Sequence, residues 1–375
     1  MQTSLLRFSA GTDSVSRKME RLLSVNAQTL WGWALLPLVP LSHLYGLGML
    51  TRERLYATGL LEQRALPVKV ISIGNLTVGG TGKTPVVIAL ANALREQGRR
   101  AGVISRGYGR RAGEDVFEVS DGQSVRGNPA KTGDEPFLIA ERCREVPVAV
   151  GANRYAAGRY LLDRFGVDTL ILDDGFQHLA LKRNVDVLLL DATAPFGNGY
   201  LLPRGRLREE LSALGRATLL VVTRSGQARD LQGVLKAIRR LAPDKALCVT
   251  DFIATSLERI GVGEKEGPNA LKGERVVALS AIGNPGAFQR LLESLGAVVV
   301  HHCLFPDHHS YSWPDVRRVV KMAGDLQADR IITTEKDAVK LRWLEGIDQV
   351  GMWAVRIDVE WLEGWEEWTR LVLHN

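Results

Sequence analysis

The sequence predicts an α/β fold, a mostly parallel sheet with helices on both faces. A smaller C-terminal α/β domain follows it, and an N-terminal membrane-associated helix precedes it. Three observations predict this. From residue 68 onward, short β-branched runs alternate with stretches of helical spacing, the pattern of strands buried on both faces and joined by crossover helices. A second set of such runs follows the polar, Gly-rich stretch 256–272. An uncharged stretch bearing aromatic residues, 22–51, comes before both sets.

The chain has 375 residues, enough for two domains at about 150 residues each. Hydrophobic residues make up 45% and charged residues 24%, which excludes collagen, low-complexity chains and global disorder. The net charge of +6 fits an anionic ligand or an anionic membrane surface, and no nucleic-acid partner is expected. Cys143, Cys248 and Cys303 stand far apart. That is not a disulfide framework, and it suits a reducing compartment. The N-terminus lacks the compact apolar run and cleavage site of a secretory signal.

Residues 1–55 are read as a tail and an interfacial segment. A spanning helix needs about 20 apolar residues, and here Pro37, Pro40, Ser42 and His43 interrupt the run. Trp31, Trp33 and Tyr45 suit the depth where aromatic rings meet head groups. The competing readings are a helix packed on the protein's own core and a true span. Residues 56–250 form the main domain, with strands expected at 68–73, 102–105, 146–150, 169–172, 185–190 and 218–223. A helix is expected over 85–97, with Val86, Leu90, Ala93 and Leu94 on one face. Residues 251–375 form the smaller domain, with strands expected at 276–281, 298–302, 330–333 and 352–355.

The strongest motif is Gly79-Gly80-Thr81-Gly82-Lys83-Thr84, set between a strand and a helix. That context makes the main domain P-loop NTPase-like. Thr77, Val78, Gly79, Gly80, Thr81, Gly82, Lys83 and Thr84 are expected to bind nucleotide, with ATP and Mg²⁺ as cofactors. Glycines let successive N–H groups face phosphate oxygens, and the helix N-terminus adds its positive end. Lys83 would reach the β- and γ-phosphates, and the Thr84 hydroxyl would ligate Mg²⁺. Thr77 stands where the strict pattern has Gly, and Val78 where two-Gly partitioning ATPases carry a signature Lys.

Four further constellations follow. Asp173-Asp174 end an apolar strand, on the sheet edge where a carboxylate can hold Mg²⁺. Asp134 stands in Thr132-Gly133-Asp134-Glu135-Pro136, readable as a helix cap or as a general base. His301-His302-Cys303 and Asp307-His308-His309 lack zinc-finger spacing, and an Asp-His pair suits acid/base or orienting work. Arg106 and Arg110, then Arg204, Arg206 and Arg208, form two Gly-punctuated basic clusters suited to anionic substrate or transferring phosphate.

Taken together, the strings Gly74–Pro85, Ser105–Gly109, Gly133–Pro136, Asp173-Asp174-Gly175-Phe176-Gln177-His178, Leu207-Arg208-Glu209, Gly283-Asn284-Pro285 and Phe305–His308 resemble the tetraacyldisaccharide 4'-kinase family. The resemblance runs in order from about residue 20 to the C-terminus. It implies transfer of the γ-phosphate of ATP to the 4'-hydroxyl of a tetraacylated glucosamine disaccharide 1-phosphate, giving lipid IVA in lipid A biosynthesis. The acylated disaccharide and a membrane surface are the implied partners. The implied place is the cytoplasmic face of the bacterial inner membrane, peripheral or monotopic. By motif, Asp134 resembles the catalytic base and His308 its partner, with Lys83 and Arg208 completing the catalytic set. Asp174 and Glu209 resemble Mg²⁺-associated carboxylates beside Thr84. Asn75, Arg106, Asp173 and His178 fall at substrate-binding positions. A carboxylate whose pKa is slightly raised beside His308 would take the sugar proton late. The active site is expected between the two domains, which would close on ATP.

The alternative is a P-loop regulatory or partitioning ATPase at the membrane, which would need the signature Lys that Val78 replaces. A membrane-recruited GTPase would need an Asn-Lys-x-Asp motif, and Thr334-Glu335-Lys336-Asp337 has the wrong spacing.

Overall fold

The computed structural model describes residues 35–107 and 115–374. Trp31 and Trp33 of the interfacial segment lie outside the described residues, as do Tyr108, Gly109, Arg110 and Arg111 of the first basic cluster. In chain order the elements begin with α1 (Val39–Ala57), β1 (Lys69–Asn75), α2 (Lys83–Glu96), β2 (Ala101–Ser105), β3 (Val116–Ser120), α3 (Asp134–Arg142), β4 (Val148–Gly151), α4 (Arg154–Phe165) and β5 (Thr169–Asp173). They continue with β6 (Val185–Asp191), β7 (Leu219–Thr223), α5 (Leu231–Leu241), β8 (Ala246–Arg259), β9 (Lys265–Glu266) and β10 (Arg275–Ser280). The last are α6 (Pro285–Ser294), β11 (Val298–Leu304), α7 (Trp313–Asp325), β12 (Arg330–Thr334), α8 (Glu335–Leu341) and β13 (Met352–Glu363).

All the strands belong to one sheet, ordered β11-β10-β12-β13-β8-β7-β6-β1-β5-β2-β4-β3, with β9 on β8. Central strands such as β2, β5 and β7 are buried along their whole length, as crossover helices on both faces require. Apolar cores lie on both faces, one around Ile71, Val87 and Leu90 and another around Ile104, Leu161 and Leu170.

The pairing explains where the site forms. β7 runs parallel to the start of β8 (Leu219↔Ala246 to Val222↔Val249), and β12 runs parallel to the start of β13 (Ile331↔Met352 to Thr334↔Val355). β8 and β13 are antiparallel to one another over nearly their full length. The two parallel sets are therefore attached at opposite ends of one long two-stranded ribbon, each pointing toward its middle. Their carboxyl ends converge there, where an open α/β sheet binds ligand. The polar stretch that begins at Ser256 opens inside β8, and residue 250 falls within that strand. Both strands outrun their apolar runs because ladder hydrogen bonds, with packing on the ribbon faces, hold segments that hydropathy alone does not mark.

Candidate active site

β1 delivers the chain into the loop that opens α2. Gly82 caps α2 in the left-handed region at φ +86°, and a Cβ there would stand 2.2 Å from the Phe252 ring. Only glycine fits that turn. Lys83 Nζ lies 3.2 Å from Asn75 Oδ1 and 3.5 Å from Asp174 Oδ1. Thr84 lines a cleft of about 650 Å³ together with Gly79–Lys83, Asp134, Asp173, Asp174 and His308. The loop therefore offers backbone N–H groups, a helix N-terminus, a lysine and a hydroxyl to one space.

Two acids enter from the end of β5. Asp173 accepts from Ser105 Oγ at 2.9 Å through Oδ2, while its buried Oδ1 has no hydrogen-bond partner among the described residues. Burial, with Glu135 and Asp174 nearby, pushes its carboxyl up to about 7. Asp174 adopts φ +50°, a strained conformation for a non-glycine residue. It aims its carboxylate at Arg208 Nη1 (3.0 and 3.1 Å) and at Lys83. Burial raises the Asp174 carboxyl, but Lys83 and Arg208 outweigh it and hold it below the usual range. No preformed cluster of three metal-binding side chains occurs among the described residues. Mg²⁺ in phosphoryl-transfer sites takes one or two carboxylates and completes its shell with phosphate and water. The free Asp173 oxygen, the Asp174 carboxylate and the Thr84 hydroxyl are a hard, all-oxygen donor set that fits it.

Facing the loop is a pair 174 residues apart in sequence. His308 Nδ1 lies 2.9 and 3.0 Å from the two Asp134 carboxylate oxygens. Asp134 is the first residue of α3, its Oδ1 also accepting from the Glu135 N–H at 3.0 Å. Gly133 is the N-cap and no side chain caps the helix, so the cap reading of Asp134 does not hold and its carboxylate is left to the cleft. Lys336 and Lys340 of α8 add their ammonium groups: Lys336 Nζ is 2.8 Å from Glu135 Oε1, 3.2 Å from Asp307 and 4.0 Å from Asp134, and Lys340 Nζ is 3.5 Å from Asp134. Burial raises the Asp134 carboxyl, but Lys336, the His308 hydrogen bond and Lys340 outweigh it, leaving it well below the usual carboxylate range. This corrects the expected slight upward shift, since the sequence pattern did not reveal the two lysines. Burial lowers the His308 imidazole, and its hydrogen bond to Asp134 reverses the sign, so the ring is held above its ordinary value.

Several expected residues fall elsewhere. Glu209 is not among the cleft-lining residues; its buried carboxylate lies 2.6 Å from Arg216, which also meets Glu53 of α1. Leu207 and Glu209 point into the protein, whereas Arg206 and Arg208 alternate outward, so Glu209 is paired with Arg216 here and not with the groups beside Thr84. Asn75 is fully buried, accepting from Lys83 and donating to the Thr77 carbonyl at 2.7 Å. It positions the lysine and is out of a substrate's reach. His178 is absent from the cleft lining and sits among Arg154, Arg183, Arg52 and Arg106, with burial and these cations pushing it down to about 4. Arg106 and Val78 line the cleft, and Thr77 and Val78 line a smaller cavity beside the loop. His302 accepts or donates at 2.8 Å to Ser280 Oγ. Lys336, Lys340 and buried Arg154 were not singled out from the sequence. The i, i+4 spacing of the two lysines was the available signal.

The matching family model, described as tetraacyldisaccharide-1-P 4'-kinase, covers residues 34–374. A tetraacyldisaccharide 4'-kinase of Anaeromyxobacter sp. (strain Fw109-5) is 43% identical over 88% of this chain and 88% of its own. One from Syntrophus aciditrophicus (strain SB) is 42% identical over 80% of this chain and 83% of its own. The crystal structure of LpxK from Aquifex aeolicus in complex with ATP is 31% identical, covers 90% of this chain and 98% of its own, and superposes with a TM-score of 0.70. With the phosphate loop, the paired acids and the facing Asp-His pair all present in one cleft, the chain belongs to the tetraacyldisaccharide 4'-kinase family.

Proposed function

We propose that this protein transfers the γ-phosphate of ATP to the 4'-hydroxyl of tetraacyldisaccharide 1-phosphate, forming lipid IVA. The observation that carries the reading is the Asp134–His308 pair, held across the cleft from Lys83 and the phosphate loop. Phosphoryl transfer is largely positioning and charge stabilisation. Lys83, fixed by Asn75 and Asp174, meets the β- and γ-phosphates. Arg208, oriented by Asp174, presents a planar cation to the same oxygens. Thr84, Asp173 and Asp174 are the residues that would hold Mg²⁺, which when bound would supply positive charge to the phosphate chain. Asp134, ionised and aligned by His308, accepts the hydroxyl proton as the sugar oxygen attacks. A carboxylate of low pKa suits a late proton transfer from an oxygen already bonding to phosphorus. The parallel strands on the two sides of the β8–β13 ribbon act as two lobes that close over ATP and exclude water.

Membrane docking is the second part of the proposal. Among the described residues no helix is long and apolar enough to cross a membrane. α1 instead turns its polar side inward. Ser42 Oγ donates to the Leu201 carbonyl at 2.9 Å, Tyr45 OH to the Arg208 carbonyl at 2.9 Å, and Arg52 to the Gln177 carbonyl at 2.9 Å. Leu41, Leu44 and Leu47 are 50–65% exposed on the outer side. A leucine stripe facing away from the protein suits the plane of a bilayer, and it lies beside the loops that carry Arg208 and the basic patch around His178. That patch offers cations to the 1-phosphate while the acyl chains stay in the leaflet at the cytoplasmic face of the inner membrane. The test is a transfer assay with radiolabelled ATP and the disaccharide 1-phosphate, followed by locating the new phosphate. Strong ATP hydrolysis that does not depend on lipid would favour the regulatory ATPase instead.

A further inference from the structure

Arg206 reaches the phosphate loop from 128 residues away. Residues 206–208 run extended beside 76–78: the Val78 N–H donates to the Arg206 carbonyl at 2.8 Å, the Arg208 N–H donates to the Leu76 carbonyl at 2.7 Å, and Thr77 and Leu207 form an antiparallel bridge. Leu207 is buried, so the side chains of Arg206 and Arg208 leave the segment on the same side. Arg208 is committed to Asp174. Arg206 has no acidic partner among the described residues. Its Nε and Nη2 both donate to the Val78 carbonyl, at 3.0 and 2.8 Å, which leaves other guanidinium N–H groups for a ligand. The Gly79 backbone admits it: Nη2 stands 2.0 Å from where a Cβ on that residue would be. The guanidinium borders both the main cleft and a cavity of about 370 Å³ on the other side of Gly79–Thr81.

We infer that Arg206 is a cis-acting cation that contacts the terminal phosphoryl group of the nucleotide. Lys83 and the helix end hold the phosphate chain from one side of the loop. An uncompensated guanidinium splinted onto the other side finds its missing counter-charge in phosphate oxygens. This rests on the kinase reading. During transfer the bond from γ-phosphorus to the β,γ-bridging oxygen breaks, a bond to the 4'-oxygen forms, and the hydroxyl proton goes to Asp134. Negative charge on the equatorial and leaving oxygens then meets Arg206 and Arg208. Val78 stands where partitioning ATPases carry a lysine, and Arg206 brings a cation to that same loop position from elsewhere in the chain.

The test compares wild type, Arg206→Ala and Arg206→Lys by two readouts. In the transfer assay, Arg206→Ala is expected to lower kcat by roughly 1,000-fold, the lower range for a phosphoryl-contacting arginine, with KM for ATP changed only a few-fold. Arg206→Lys recovers little of this loss, and added guanidinium restores part of the Arg206→Ala rate where methylammonium does not. The second readout needs no lipid: beryllium fluoride, a γ-phosphoryl mimic, should tighten ADP binding to wild type and not to Arg206→Ala, with affinity for ADP alone unchanged. Inert wild type in the transfer assay with an intact beryllium fluoride effect would overturn the acceptor assignment and keep this inference. A normal kcat in Arg206→Ala, or equal beryllium fluoride tightening in both proteins, would make Arg206 only a splint for Val78.

Discussion

Asp134 opens α3 without capping it, and its surroundings suit chemistry. A cap needs only the N–H of a neighbouring residue, yet this carboxylate is buried and has His308, Lys336 and Lys340 trained on it. Asp134→Asn keeps the shape and a hydrogen-bond acceptor while removing the base. We expect transfer to fall by roughly 100- to 10,000-fold, and the melting temperature to fall as well because His308, Lys336 and Lys340 lose a carboxylate partner, measured by initial rates and calorimetry; undiminished transfer would leave the residue a purely structural ion-pair partner. Asp173 gives a pH prediction. Its carboxyl stands near 7 in the folded protein against about 4 in an unfolded chain. Its stabilising contribution is whole below pH about 4 and is lost as pH rises through about 7. Without Mg²⁺, the melting temperature of wild type should drop across that window relative to Asp173→Asn, and Mg²⁺ affinity should rise with pH through about 7. Parallel melting curves would contradict this. Residue types at the phosphate loop were legible because that motif is local. The lysines around Asp134 were not, since their role depends on a contact made by the fold between α3 and α8.

At the scale of elements, the parallel strands were readable from short apolar runs, because burial on both faces leaves little room for polar residues. The edge strand β3 and the outer half of β13 were not. Among the described residues β3 pairs only with β4, and β13 beyond Val355 carries Arg356, Asp358 and Glu360, held by the ladder to β8. The part of α1 up to Thr51 was legible as uncharged, but not the way it faces. Ser42 and Tyr45 turn toward the protein and Leu41, Leu44 and Leu47 turn away, an inversion visible only once the docking partners are placed. Replacing Leu41, Leu44 and Leu47 together by serine should weaken binding to anionic vesicles by roughly ten-fold or more, given about 25 cal/mol per Å² of apolar surface removed from water, while activity toward a detergent-dispersed acceptor holds. Vesicle co-sedimentation reads the first effect. Unchanged sedimentation would place the docking surface elsewhere.

Across the whole molecule, one sheet carries two sets of parallel strands pointed at each other along a shared ribbon. That arrangement lets Asp134 and His308 meet, and it was beyond sequence reading because the antiparallel β8–β13 pairing joins segments about a hundred residues apart. The lobes are also tied by Arg142 of α3, whose side chain is buried and donates to Glu335 at 2.7 Å and to Asp358. Arg142→Ala leaves the half-buried Glu335 carboxylate with only the Ile357 N–H and the Arg356 charge, which costs about 1–3 kcal/mol. The urea midpoint should fall accordingly, and Glu335→Gln should restore part of the loss; an unmoved midpoint would mean that the lobes do not depend on this tie. The central claim is that nucleotide held in the first lobe gives its terminal phosphoryl group to a glycolipid hydroxyl beside Asp134. Its most direct measurement incubates the purified protein with radiolabelled ATP, Mg²⁺ and tetraacyldisaccharide 1-phosphate and maps the labelled position. The account predicts label on the 4'-oxygen, abolished by Lys83→Ala and Asp134→Asn; label released only as inorganic phosphate, or a glycolipid left unmodified, would contradict it.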